Sequence, residues 1–174
     1  MANIQNQKMI NFRVFDEGND LLGIADIQLP SMELLSETVK GAGIAGEFDA
    51  PTIGHYASMT LGINFRTVCK EQLNLAGKRD RHLDMRGAIQ AYDASTGTYK
   101  TQKVKVIVRG IAKKVDLGKL VTAATGDSSV ELSVAYLKVE IDGKRHIEID
   151  IFNYIAFVNG EDSLAEVREA LGLT

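Results

Sequence analysis

Two clusters in this 174-residue chain have residue types and spacing that could do chemistry. Gly41-Ala42-Gly43-Ile44-Ala45-Gly46 matches G-x-G-x-x-G, the spacing with which backbone N–H groups meet a pyrophosphate at a helix N-terminus. That chemistry needs a buried strand before the glycines and a helix after them. Leu35-Ser36-Glu37-Thr38-Val39-Lys40 is too polar for a central parallel strand, and Glu47, Asp49, Pro51 and Gly54 offer no amphipathic helix. A φ-permissive loop at a hairpin end is the better reading. His146, Glu148 and Asp150 share one strand face and could be drawn as metal ligands, but zinc sites normally draw on converging segments. A cross-strand charge ladder or a contact between subunits fits them better. His55 and His82 lack a neighbouring Ser or Cys motif of an activated nucleophile. The lone Cys69 reads as a small buried hydrophobe, which excludes an internal disulfide and fits a reducing compartment. We expect no catalytic residue, no cofactor and no metal.

The elements that carry these residues are strands. Leu137, Val139 and Ile141, then Ile147, Ile149 and Ile151, alternate with polar residues at period 2, which predicts two strands each with one buried face. A two-residue turn at Asp142-Gly143 would set Val139 against His146. Apolar pairing instead predicts a three-residue loop through Lys144, with Val139 opposite Ile147, Leu137 opposite Ile149, Lys138 opposite Glu148 and Glu140 opposite His146. Gly143 or Lys144 should then have positive φ. Asn159-Gly160 marks another turn, and Ser163-Leu164-Ala165-Glu166 has capping-box spacing for a short helix ending near Gly172.

Upstream, Asn11–Phe15 and Leu22–Gln28 predict a first hairpin, ended by Pro30. Met32–Lys40 predicts an edge strand, and Ser58–Phe65 another strand. Phe65, Cys69 and Leu73 form a helical stripe closed by Gly77. Leu83 to Ala91 and Tyr99–Val108 alternate around a turn at Asp93–Gly97. Gly110–Ser129 reads as a long connection before Val130, Leu132, Val134 and Tyr136 resume period 2. The sum is a mainly β chain with short α: an antiparallel β-sandwich or barrel with a flanking helix and a short C-terminal helix, in one domain spanning 1–174.

Composition narrows the class. An apolar content of 45% supports one core, and a net charge of −3 carries no basic footprint for tight nucleic-acid binding. The N-terminus lacks a signal-peptide apolar core, and no run approaches membrane-spanning length, so a soluble protein without a membrane anchor is expected.

Several short motifs together resemble the major tail tube proteins of contractile, P2-like phage tails. These are Ile141-Asp142-Gly143, Glu148-Ile149-Asp150 with Asn153, Asn159-Gly160, Asp162-Ser163-Leu164 and Ala170-Leu171-Gly172-Leu173. Gly41-Ala42-Gly43 with Gly46, Arg109-Gly110, and Gly23-Ile24-Ala25 leading to Leu29-Pro30 extend the resemblance over nearly the whole chain. It implies a structural subunit that closes into hexameric rings and stacks into a tube inside the sheath. Its implied partners are itself, the sheath protein, the tape-measure protein, the baseplate hub and the tail terminator. DNA would pass through the lumen without specific binding. The implied location is the virion tail, after assembly in the host cytoplasm.

Six subunits giving four strands each would make a barrel of about 24 strands. At ~4.8 Å spacing and ~40° tilt its backbone diameter is about 48 Å, leaving roughly 40 Å inside side chains, wide enough for a duplex. The candidate ring or stacking interface is Lys40, Gly41, Gly43, Ile44, Gly46, Arg109, Gly110 and Asp116. Candidate lumen strands flank Gly41–Gly46 and pair Val104–Arg109 with Val130–Tyr136, which nominates Thr38, Lys103, Lys105, Ile107, Glu131 and Ser133. A lumen that avoids multivalent phosphate neutralisation should be neutral to acidic. The Gly41–Gly46 loop and the Met1–Lys8 arm should be mobile in a free subunit and order in the ring. Two related functions compete: the inner tube of a type VI secretion system and a DNA-free phage-tail-like bacteriocin. A small β-barrel ligand-binding module is the alternative of another class.

Overall fold

A computed structural model describes residues 3–77 and 79–173. The chain order is β1 (Ile4–Asp16), β2 (Asn19–Asp20), β3 (Ile24–Gln28), β4 (Leu34–Val39), β5 (Phe48–Tyr56), β6 (Met59–Phe65), α1 (Lys70–Leu75), β7 (Arg81–Asp93), β8 (Thr98–Asp116), β9 (Ser128–Ile141), β10 (Lys144–Asp150), β11 (Ile155–Val158), β12 (Glu161–Asp162) and α2 (Ala165–Ala170). Every pairing is antiparallel. The mainly β class with two short helices is the one the sequence predicts.

The long ribbon β8–β9 organises a ten-stranded sheet. One edge of β9 pairs with β8 throughout; its other edge pairs with β6 over its first half and with β10 over its second. The sheet therefore divides into a β3-β6-β9-β8 end and a β11-β10-β9-β8-β7-β1 end. Met59, Leu61, Ile63, Phe65, Val130 and Leu132 from the first share one apolar cluster with Leu83, Met85, Leu137 and Ile149 from the second. Because both ends bury the same core, the sheet folds over on itself, with bulges in the shared strands making the corner. Ala135 is the extra residue on β9 and Lys113 the extra residue on β8. The buried positions of β9 accordingly change from even to odd between Val134 and Leu137.

Gly110 sits at that corner. A Cβ there would collide with the carbonyl oxygen of Ser133 and stand 3.0 Å from its carbonyl carbon, so the close backbone approach demands glycine. The expected connection from Gly110 to Ser129 is shorter than predicted, since β8 runs on to Asp116 and residues 117–127 alone link it to β9.

The β9–β10 hairpin corrects one expectation and keeps another. Its turn has two residues, Asp142 and Gly143, at φ 50 and 80, so the three-residue loop is wrong. Ile147 nevertheless opposes Val139, Ile149 opposes Leu137 and Glu148 opposes Lys138. A bulge at His146 absorbs the extra residue, and Glu140 faces Arg145, not His146. Burial of the isoleucines decides the register, and the turn keeps its preferred Asp-Gly geometry.

Other expectations shift similarly. The first hairpin joins β1 only to the two-residue β2, while β3 crosses to pair with β6. Ile4 to Lys8, expected as part of a mobile arm, pair with β7 within the long strand β1; Met1 and Ala2 lie outside the described residues. In α1 the buried residues are Gln72 and Leu75, and Leu73 is exposed. The Phe65–Cys69–Leu73 stripe fails because Phe65 ends a strand and Cys69 is an extended N-cap. Gln72 Nε2 donates to the carbonyls of Asp116 and Ser129, at 2.8 and 3.2 Å, tying α1 to the ribbon. The capping box of α2 does not form. Asp162 Oδ1 instead accepts from Leu164 N and Ala156 N, both at 3.2 Å. The helix ends as predicted: Leu173 N–H reaches Arg168 O and Gly172, at φ 68, reaches Glu169 O.

Candidate assembly surfaces

Three surfaces gather the residues nominated from sequence. The first is the β4–β5 hairpin, a separate two-stranded sheet that continues the β3–β6 pair beyond the sheet. Residues 40–47 form its tip, holding Lys40, Gly41, Gly43, Ile44 and Gly46. Gly41, Gly43 and Gly46 all have positive φ, and Lys40 reaches Glu47 at 3.5 Å. The glycine run is thus a hairpin tip followed by a strand, not a turn into a helix. Val39 pairs with Phe48 on one face, while Thr38 donates to Asp49 at 2.7 Å on the other. Phe48 and Ile53 are 60% and 65% exposed. An isolated hairpin with apolar residues in water is marginal alone, so this arm is built to be covered.

The second surface is the outward face of β1, β7, β8, β9 and β10. Opposed residues run Arg13–Arg86–Lys105–Glu140–Arg145 in one row and Phe15–Asp84–Ile107–Lys138–Glu148 in the next. Asp84 holds Arg86 at 2.8 Å and Lys105 at 3.5 Å, and Lys138 holds Glu140 at 2.7 Å. Arg86, Arg109 and Arg145 lie over the rings of Phe15, Tyr136 and Phe157. Burial opposes ionisation of Asp84 and Glu148, but hydrogen bonds from Arg86 and Arg145 prevail and hold both below their ordinary values. Burial, then the bond to Glu148, pushes the Tyr136 hydroxyl up to about 12. His146, Glu148 and Asp150 have separate partners: His146 Nδ1 lies 3.3 Å from Asn159 Oδ1, and Glu148 accepts from Tyr136 and Arg145. Asp150 accepts from Phe152 N, Asn153 N and Asn153 Nδ2, and Arg109 reaches it at 3.5 Å. A concavity of about 620 Å3 is an open groove lined by Phe12, Arg86, Ala88 and Lys105 among others.

The third surface is the outward face of β3, β6, β9 and the last part of β8. Its rows are Asp26–Asn64–Ser129–Asp116, Gln28–Gly62–Glu131–Lys114 and Thr60–Ser133–Ile111. No outward position in these rows is aromatic. Three carboxylates, Asp26, Asp116 and Glu131, stand against the ammoniums of Lys113 and Lys114. Lys113 donates to Thr60 at 2.6 Å and Lys114 reaches Glu131 at 3.4 Å.

The nominated lumen residues therefore divide. Lys103, Lys105 and Ile107 lie on the charged face, Glu131 and Ser133 on the small polar face, and Thr38 on the arm. Val104–Arg109 pairs with the second half of β9, whereas Val130 to Val134 pair with the end of β8 and with β6. Asp26, Thr60 and Asn64 share the small polar face without having been nominated. Thr60 and Asn64 carry a signal, alternation with Met59, Leu61, Ile63 and Phe65, which marks the polar positions of β6 as one face; Asp26 on β3 carries none.

Residues 6–172 match the family described as phage tail tube protein FII. The chain belongs to that family. It is a structural phage tail tube protein and not an enzyme. The tail tube protein of Escherichia phage P2 is 29% identical over 184 residues, covering 99% of this chain and 100% of that protein. The cryo-EM structure of an extracellular contractile injection system, PVC sheath/tube terminator in extended state, gives a TM-score of 0.49 at 9% identity. It covers 75% of this chain and 94% of that one, a likeness too slight to carry an argument.

Proposed function

We propose that the chain is one tube domain over 1–174 that closes into hexameric rings, which stack into the inner tube of a contractile phage tail. The tube is the conduit for DNA, it lies within the sheath, and its ends meet the baseplate hub and the tail terminator around a tape-measure protein. The small polar face of β3-β6-β9-β8 carries this reading. It presents four strands, as the barrel estimate requires, and its side chains are mostly uncharged and slightly acidic in sum. A wall of that kind passes a polyanion without gripping it. The β4–β5 arm, with the Gly41, Gly43 and Gly46 tip, is the contact to the next ring, and it orders fully there. Assembly takes place in the host cytoplasm, before the tube becomes part of the virion.

Electron microscopy of the protein at high concentration, alone and seeded with baseplates, tests this. Rings or tubes with a central channel of roughly 40 Å are expected. Persistent monomers in both conditions, or a saturable small-molecule ligand in the groove at Phe12 and Ala88, would overturn it.

A further inference from the structure

We infer that the C-terminal turn and helix α2 form a clasp on the base of the β4–β5 arm, with Leu164 seated in a bulge at Gly54 and fixing the direction in which the arm leaves the body. The consequence for stacking rests on the tube reading above; the clasp itself belongs to the single subunit.

The bulge makes the seat. Leu34 opposes Tyr56 and Ser36 opposes Pro51, so residues 52–55 of β5 stand against Leu35 alone. On one side of them Tyr56 packs on the main core, and on the other the arm runs out with every residue of β4 exposed. The arm therefore leaves the body at this bulge, where its ladder is broken and it can bend. Gly54 has φ 69, and a Cβ there would collide with Cγ of Leu164 and stand 2.5 and 2.8 Å from its Cδ2 and Cδ1. Glycine leaves the space that the leucine fills.

Leu164 is 5% exposed, although it lies outside the main apolar cluster and no residue of α2 itself is buried. Its backbone is pinned. Asp162 Oδ1 accepts from the N–H groups of Leu164 and Ala156, both at 3.2 Å. Arg168 donates to Asp162 Oδ2 at 2.8 Å and to Tyr154 O at 2.6 Å, tying the helix to the same turn. A pinned turn thus presents one leucine to a glycine bulge. A two-stranded hairpin is marginal alone, so the hold on its base sets how far the arm frays and swings.

Amide hydrogen exchange of full-length monomer tests the clasp from both sides of the contact. Leu164→Ala empties the seat and Gly54→Ala crowds it. Each should speed exchange of the β4 and β5 ladder amides at least about tenfold, while those of β7, β8 and β9 stay within about threefold of wild type. Together the two changes should have less than the sum of their effects, because alanine at 164 makes room for alanine at 54. Leu164→Met, close in volume, should keep wild-type protection. If Leu164→Ala does not fold, by circular dichroism, Gly54→Ala decides. Equal acceleration throughout the body would make Leu164 an ordinary core residue, and unchanged arm amides would make the contact idle; either result overturns the clasp. Leu164→Ala should also need at least about tenfold more protein to form tubes. Normal assembly of a variant with a loosened arm would overturn the link to stacking. If wild type fails to assemble even when seeded, the tube reading fails and the exchange result still decides the clasp.

Discussion

Adding one methyl group at Gly110 should destabilise the subunit more than the same change at any freely turning glycine, for a reason confined to backbone packing. Gly110 does not have positive φ, so alanine there meets no conformational strain and should gain about 0.4–1 kcal/mol by restricting the unfolded chain. Against that gain, its Cβ would collide with Ser133 O and lie 3.0 Å and 3.2 Å from Ser133 C and Val134 Cα. All three are backbone atoms of the neighbouring strand, which cannot rotate aside as a side chain could. Overpacking of this kind costs about 1–3 kcal/mol or more, so a net loss of about 2 kcal/mol is expected for Gly110→Ala. Two controls separate the causes. Gly143→Ala has nothing within 4 Å but a φ of 80, and should lose about 1 kcal/mol to left-handed strain alone. Gly62→Ala puts its Cβ at 3.4 Å from Gln28 Cβ, an ordinary contact, and should be neutral or slightly stabilising. Urea unfolding of dilute monomer, followed by far-UV circular dichroism, gives the three values free of assembly. If Gly110→Ala costs no more than Gly143→Ala, the ribbon is not pinched at that corner and the account of the fold-over is wrong.

Phe65→Ala, at a fully buried core position, should cost about 3–5 kcal/mol in the same assay; a loss under about 1 kcal/mol would mean the core is not shared as described. Asp84, Glu148 and Asp162 are held below their ordinary values of 3.8, 4.5 and 3.8. Their stabilisation is therefore present above those values and lost as pH falls through the folded ones, so the urea midpoint should be flat near neutrality and drop below about pH 4. Burial raises Asp16 despite Arg81 beside it, and its small opposing contribution appears as pH rises past 3.8. Deleting His146 should keep Ile147 and Ile149 buried and cost about 1 kcal/mol, for the lost acceptor of Asn159 N–H, whereas deleting Ile147 should cost far more. Ser129→Lys with Ser133→Lys should make assembled tubes retain a short duplex in a salt-dependent way, as fluorescence anisotropy would report. Equal, salt-steep retention by wild-type tubes would refute a passive lumen.

Period 2 was readable wherever one face is buried, which is why β6, β7, the first half of β8, and β9 with β10 emerge from the residues alone. Bulges break that period, and one leaves a trace in the sequence. Val130, Leu132 and Val134 are even, Leu137, Val139 and Ile141 are odd, and the change of phase at Ala135 is the bulge itself. The end of β8 reads as a loop for the same reason, because Gly110 and Lys113-Lys114 interrupt its alternation. At His146 apolar burial and turn chemistry disagreed, and a bulge satisfied both, an outcome that neither signal predicts alone. The pairing of β3 with β6 was illegible for a different reason: a strand of five residues does not name its partner across residues 29–58. The division of the nominated lumen residues followed from that gap, since the small polar face exists only once β3 and β6 are placed beside β9.

The two outward faces of the sheet differ in the number and sign of their charges, and that difference decides which suits a passage for DNA. On the charged face cancellation is partial: Arg13, Arg86, Lys105, Lys138, Arg109 and Arg145 outnumber Asp84, Glu140, Glu148 and Asp150, and Arg86 and Lys105 share Asp84. Cancellation works at distances beyond a Debye length, about 8–10 Å at physiological salt. At contact a duplex with one phosphate per ~1.7 Å of axis meets individual guanidinium and ammonium groups and can compete for them. Exposed ion pairs are worth only about 0–1 kcal/mol each, so such competition is cheap. The small polar face carries fewer charges, and their balance is acidic. Ser129, Ser133, Thr60, Asn64, Gln28 and Gly62 offer no charge to exchange, and Asp26, Asp116 and Glu131 outnumber Lys113 and Lys114. In the proposed tube, the face with fewer cations and an excess of carboxylates is the one a polyanion passes at a few ångströms without capture. The charged face, rigidified by its own pairs and stacked arginines, is then left to face outward.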